Sequence, residues 1–134
     1  MAIRAILLVA LASLLFTEIL HADDALKLPG SHVNPENAAN QSSAVFVGKV
    51  TNDGVRGPYF NIWYTEISNL QVTVLQILRG SSPNHIAISL NVAGNETIPK
   101  AGNTYIFFVK QLIALKLLPA TDDNIAMVNK LISN

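Results

Sequence analysis

Leu70-Gln71-Val72-Thr73-Val74-Leu75-Gln76-Ile77-Leu78-Arg79-Gly80 is the segment around which the rest of the chain is arranged. Val72 and Val74 alternate with Gln71 and Thr73, the two-residue period of a strand with one buried face. From Val74 onward, Leu75, Ile77 and Leu78 place apolar side chains on both faces, so this end is expected to be covered on both sides. Arg79-Gly80-Ser81-Ser82-Pro83 then stops the strand with turn residues, Arg79 reading as a solvated charge at the strand end. The segment reads as a central strand, with its neighbours in sequence pairing against it.

Working outward, Ala44–Thr51 (AVFVGKVT) is the first confident strand on the N-terminal side. Val45, Val47 and Lys49 face one way, and Phe46, Gly48 and Val50 the other. Gly48 in mid-strand predicts a bulge, a bend or the close approach of another backbone. Asn52–Pro58 (NDGVRGP) carries turn signals, and Tyr59–Ile67 (YFNIWYTEI) reads as a strand. Ser68-Asn69 either breaks it from the central strand or bends one long strand running from Asn61 to Leu78. On the C-terminal side, His85–Val92 (HIAISLNV) alternates cleanly, with Ile86, Ile88, Leu90 and Val92 inward. Thr104–Lys110 (TYIFFVK) is apolar on both faces. Leu112–Leu118 reads as a further strand interrupted by Lys116, either completing a barrel or forming an edge. Thr121–Ser133 is a helix, with Thr121 as its cap, Asp122 and Asp123 in the first turn and Lys130 in the last. Its apolar stripe is Ile125, Val128, Leu131 and Ile132.

The 134 residues suit a single domain. Nine basic and nine acidic side chains are spread evenly, so the chain lacks the basic footprint of a nucleic-acid binder. There is no cysteine, which removes disulfides, thiolate metal sites, a cysteine nucleophile and a lipid-modified cysteine together. Met1–Ala22 reads as a secretory signal peptide; the rival reading, a retained membrane anchor, is disfavoured by the shortness of the apolar run and its interruption at Thr17-Glu18. Arg4 supplies the charged start, Ala5–Phe16 the apolar run, and Leu20-His21-Ala22 the cleavage site. The expected destination is the periplasm or the outside of the cell, with no membrane span after cleavage. Residues 23–43, rich in Asn, Ala and Ser, read as a flexible, extended or irregular lead-in. Residues 44–134 form the folded domain. The sequons at Asn40 and Asn95 matter only in a eukaryotic secretory pathway.

Short strands, mostly antiparallel, with a C-terminal helix suggest a small, strongly bent barrel. Ala44-Val45-Phe46-Val47-Gly48-Lys49-Val50 resembles the opening strand of the domain named for tissue inhibitors of metalloproteinases, an OB-type barrel. Val72–Gly80 and Gly102-Asn103-Thr104-Tyr105-Ile106-Phe107-Phe108 resemble segments of bacterial exported relatives of that domain. The resemblance spans Ala44–Val109 and implies a mainly β, five- to six-stranded OB-like antiparallel barrel. It does not carry the inhibitory chemistry. In that family an N-terminal cysteine reaches the protease zinc, and this chain has no counterpart.

Chemistry-bearing motifs are sparse. The histidines after the signal, His32 and His85, stand far apart without metal-ligand spacing. No G-x-S-x-G is present. Asp122-Asp123 has a sufficient reason at a helix start. No cofactor is implied, and the chain is not expected to be an enzyme. The notable cluster is Tyr59, Phe60, Trp63 and Tyr64, with the only tryptophan of the chain. Phe60 and Tyr64 are expected in the core. Tyr59 and Trp63, with Arg56 in the preceding loop, are the candidate partner-binding residues. The function expected is an exported, non-catalytic binding module for a protein in the cell envelope or outside the cell. The alternative is a divergent protease inhibitor acting through an exposed edge or the N-terminal arm.

Overall fold

In the computed structural model, which describes residues 27–57 and 63–133, two helices and six strands follow one another. They are α1 (Pro35–Gln41), β1 (Ala44–Asn52), β2 (Val55–Arg56), β3 (Tyr64–Arg79), β4 (His85–Ala93), β5 (Thr104–Lys110), β6 (Ile113–Pro119) and α2 (Asp122–Ile132). The expected signal peptide, residues 1–22, lies outside the described residues, as do Tyr59 and Phe60.

The strands form a sheet in the order β1-β5-β6-β4-β3-β2, and β1 also pairs with β3. That last pairing closes β1, β5, β6, β4 and β3 into an OB-like five-stranded barrel, with β2 as an extra strand on β3. β3 is the long strand that makes closure possible. Its first part, from Tyr64 to Thr73, pairs with β4, and its second, from Gln71 to Arg79, pairs with β1. It is the single long, bent strand of the two readings above. The bend falls where the β3–β4 register shifts between Ile67 and Leu70, with Asn69 at φ 57°. Leu112–Leu118 completes the barrel rather than forming an edge: β6 (Ile113–Pro119) pairs antiparallel with β5 and meets β4 through one parallel bridge, Ser89 to Ile113.

Both faces of β1 and β5 are buried, each against a different layer. Inside the barrel, Phe46, Val50, Leu70, Val72, Ile88 and Phe107 pack together. Phe46 and Phe107 stack with ring centroids 5.3 Å apart, and Tyr105 meets Phe107 edge-on at 6.1 Å. Outside, Val45, Val47, Ile106 and Phe108 pack with Ala38 and Ala39 of α1 and Val128 of α2. The helices therefore cover one wall of the barrel, and the alternating apolar stripes of these two strands are each used. Gly48 lies at a register shift between β1 and β3. A Cβ there would sit 2.5 Å from Val72 Cγ1, so the barrel interior has no room for a side chain. Thr121 caps α2 as expected, accepting a hydrogen bond from the Asn124 N–H. Among the described residues no helix is long and apolar enough to cross a membrane.

Four expectations are corrected. The apolar end of β3 is not covered on both sides: Leu75 is 58 % and Ile77 45 % exposed. β4 begins at His85, opposite Thr73, so β3 beyond Val74 has only β1 as a strand neighbour. Lys116 does not interrupt β6; it is buried, and its Nζ donates to the Gly30 carbonyl at 3.0 Å. Arg79 is not a solvated strand end, because its guanidinium donates to the Ala39 and Ser42 carbonyls at the C-terminus of α1. The segment read as extended or irregular contains α1, capped by the Asn34 side chain on the Asn37 N–H with Pro35 at the first helical position.

Candidate functional site

β4 and β6 share one bridge, and the N-terminal segment fills the space where their pairing stops. The Pro29 carbonyl accepts from the Leu117 N–H at 2.9 Å, and the Lys27 carbonyl from the Thr97 N–H at 2.6 Å. Leu28 between them packs against the barrel interior. Gly30 is buried at φ +77°, and a Cβ there would lie 2.3 Å from the Leu115 carbonyl oxygen, so only glycine passes so close to β6. Lys27–Ser31 thus acts as a strap across the opening between the two strands.

Glu96, in the loop after β4, fastens the strap. Its Oε2 accepts from the Ser31 N–H at 2.9 Å and from the Ser31 Oγ–H at 2.7 Å, and its Oε1 from the Ala93 N–H at 2.8 Å. Burial pushes the Glu96 carboxyl up. The Ser31 hydroxyl, the Ala93 and Ser31 amides and the nearby His32 outweigh burial and hold it below the usual range. Lys116, on the other side of the strap, is pushed down by burial, and the charge of Glu96 works against that push.

Beside the strap opens a cleft of about 450 Å³. One wall comes from the strap and α1, with His32 and Gln41. The other comes from the start of β3, the end of β4 and the start of β6, with Trp63, Tyr64, Asn91 and Ile113. Glu96 lines it as well. Trp63 is 73 % exposed, and its backbone carbonyl accepts from the Gly94 N–H, which fixes the chain at the mouth. Tyr64 does not join the core as expected; it is 41 % exposed and lines the cleft. The reason is local. Ile67 faces the barrel, so the alternation of β3 puts Tyr64, three residues earlier, on the opposite, outer face, while the register shift between Ile67 and Leu70 returns Leu70 to the interior.

Of the three candidate residues, Trp63 is in the cleft. Tyr59 lies outside the described residues. Arg56 is exposed on β2, opposite Ile67, and does not line the cleft. Sequence reasoning missed Gln41, Asn91 and Glu96. Gln41 and Asn91 read as ordinary polar positions, and Glu96 is an isolated acid in a loop. His32 was weighed only as a metal ligand. Among the described residues no three His, Asp or Glu side chains come together to hold a metal ion. Glu96 is a poor general base here, since its carboxyl is held low and both oxygens are engaged. Scanned against known protein families the chain matches no family model, and no curated protein matches it.

Proposed function

We propose that this chain is an exported, non-catalytic binding module that takes its ligand in the cleft between the strap and the β3–β4 face. One observation carries the reading: the only tryptophan of the chain stands 73 % exposed at the mouth of a cleft, with Tyr64 beside it. Keeping large aromatic rings in water forfeits roughly 1.5–3 kcal/mol of burial per side chain, and exposed aromatic clusters mark interaction sites. In OB-type barrels the face of the second and third barrel strands and the loops beside it carry ligands. Here those strands are β3 and β4, which supply Trp63, Tyr64 and Asn91; this support is an analogy of fold. Export rests on the charged start and apolar run of residues 1–22. The resemblance to the metalloproteinase-inhibitor domain agrees with a barrel used as a binding scaffold and offers no inhibitory cysteine.

The test is a small-molecule fragment screen followed by two-dimensional NMR of the protein. Fragments that bind are expected to shift the Trp63 indole N–H and the Asn91 and Gln41 side-chain amides. Binders that move other signals and leave these three in place would refute the cleft as the site.

A further inference from the structure

We infer that the ligand of this cleft is a neutral oligosaccharide, stacked on Trp63 and Tyr64 and hydrogen-bonded by Gln41 and Asn91. The inference rests on the binding reading above and adds the chemical class of the ligand.

Charge is the first argument. The described lining includes one acid, Glu96, and neither lysine nor arginine. A phosphate, a carboxylate or a nucleic acid would enter against the Glu96 charge, with His32 as the one residue of the described lining able to carry a positive charge. A cationic ligand is no better served. Both Glu96 oxygens already accept hydrogen bonds from Ser31 and Ala93, and the carboxylate charge falls on the buried Lys116.

The second argument is the pairing of aromatic rings with amides. A sugar ring has C–H faces that lie against an aromatic ring and a rim of hydroxyls that both donate and accept. Asn91 and Gln41 each carry a carbonyl acceptor and an NH₂ donor in one plane, which matches such a rim. A purely apolar ligand would strip water from these amides without replacing its hydrogen bonds. An extended peptide would seek free backbone groups at a strand edge. At this end of β4 the Ala93 N–H is taken by Glu96 and the Gly94 N–H by the Trp63 carbonyl. The size agrees as well. About 450 Å³ lies within the usual range for small-ligand sites and exceeds a single sugar ring.

Trp63 is its own reporter, being the sole tryptophan. The protein is titrated with neutral tetrasaccharides of β-1,4-linked glucose and of β-1,4-linked N-acetylglucosamine, and in parallel with a lysine-rich peptide and a sulfated polysaccharide. At least one neutral tetrasaccharide is expected to shift and quench the fluorescence. Its affinity should fall about tenfold in Asn91→Ala, followed by NMR or calorimetry. A comparable loss is expected in Trp63→Ala, with the fold of the variant checked by its NMR spectrum. Raising salt from roughly 50 to 500 mM should change the affinity by less than about twofold, since no ion pair forms. Binding of the peptide or the sulfated polymer alone, a steep salt dependence, or full affinity in both variants would overturn the inference. If the fragments of the preceding screen bind at Trp63 while no neutral saccharide does, the ligand class is wrong and the cleft stands. If neither binds, both fall.

Discussion

Replacing Glu96 with Gln keeps the shape of the side chain and removes half of what it does. Oε2 serves the Ser31 N–H and Oγ–H, and Oε1 serves the Ala93 N–H. A glutamine has one carbonyl oxygen, so its NH₂ must face an N–H on one side or the other. Turned toward Ser31, the oxygen keeps two bonds and leaves the Ala93 N–H opposed by a donor. Turned toward Ala93, it leaves the Ser31 N–H opposed, while the Ser31 hydroxyl can rotate to accept. Hydrogen bonds to a charged group contribute about 1.5–3 kcal/mol and neutral ones about 0.5–1.5. With the site half-buried and one bond lost outright, the expected destabilisation is about 2 kcal/mol by urea unfolding. Hydrogen exchange locates it. The Thr97 and Leu117 amides donate to the strap carbonyls of Lys27 and Pro29, so they should exchange faster in Glu96→Gln, ahead of the β5 amides. Acid provides a second arm. Because the folded carboxyl is held below its unfolded value, its contribution is present above the ordinary glutamate range and is lost as pH falls through the depressed folded pKa. The gap between wild type and variant should therefore close on acidification. A loss under about 0.5 kcal/mol, or exchange that quickens equally in β5, would refute the account of the strap.

Three further substitutions test the barrel. Gly48→Ala forces a Cβ to 2.5 Å from Val72 Cγ1, so thermal unfolding should show a loss of about 1–3 kcal/mol from overpacking. Leu112→Gly should do the opposite. Gln111 at φ 51° and Leu112 at φ 65° close the β5–β6 hairpin in left-handed conformations, and glycine at the second should raise stability by about 1 kcal/mol in denaturant titration. Arg79→Ala removes the donors to the Ala39 and Ser42 carbonyls. It should cost about 1–3 kcal/mol and loosen α1, seen as faster exchange of the Ser42 amide, which bonds back into that helix.

The strands were legible where one rule sufficed. β4 alternates because one of its faces meets the core, and Ile88, Leu90 and Val92 are buried as the pattern requires. β1 and β5 carry apolar residues on both faces because each face has its own layer, and the sequence shows that too. The same doubled pattern misleads at Leu75 and Ile77. Whether both faces of a strand are covered depends on which layers pack over them, and that neither packed layer reaches Leu75 and Ile77 is not encoded in β3. The signal for α1 was present in Asn34-Pro35-Glu36, a cap followed by proline and an acid. Its polar surroundings and short length concealed it. The cleft was half legible. Trp63 stands out as the chain's only tryptophan, whereas Gln41 comes to it from α1 and Asn91 and Glu96 from β4 and the loop after it, and only the closed barrel makes them neighbours.

The strap has a consequence for the order in which the molecule assembles. Gly30 and Lys116 are 86 positions apart, and the partners of Lys27 and Pro29 lie in the loop after β4 and in β6. During synthesis this segment emerges ahead of every strand, yet its first partners come only with the loop after β4 and its last with β6. Contacts of such long sequence separation form late and slow the approach to the native state. Being held by a few hydrogen bonds and one leucine, the strap is also the part expected to open first under native conditions. The last piece to lock is thus a wall of the cleft, so a molecule held there would shorten the time for which the barrel stands open beside it.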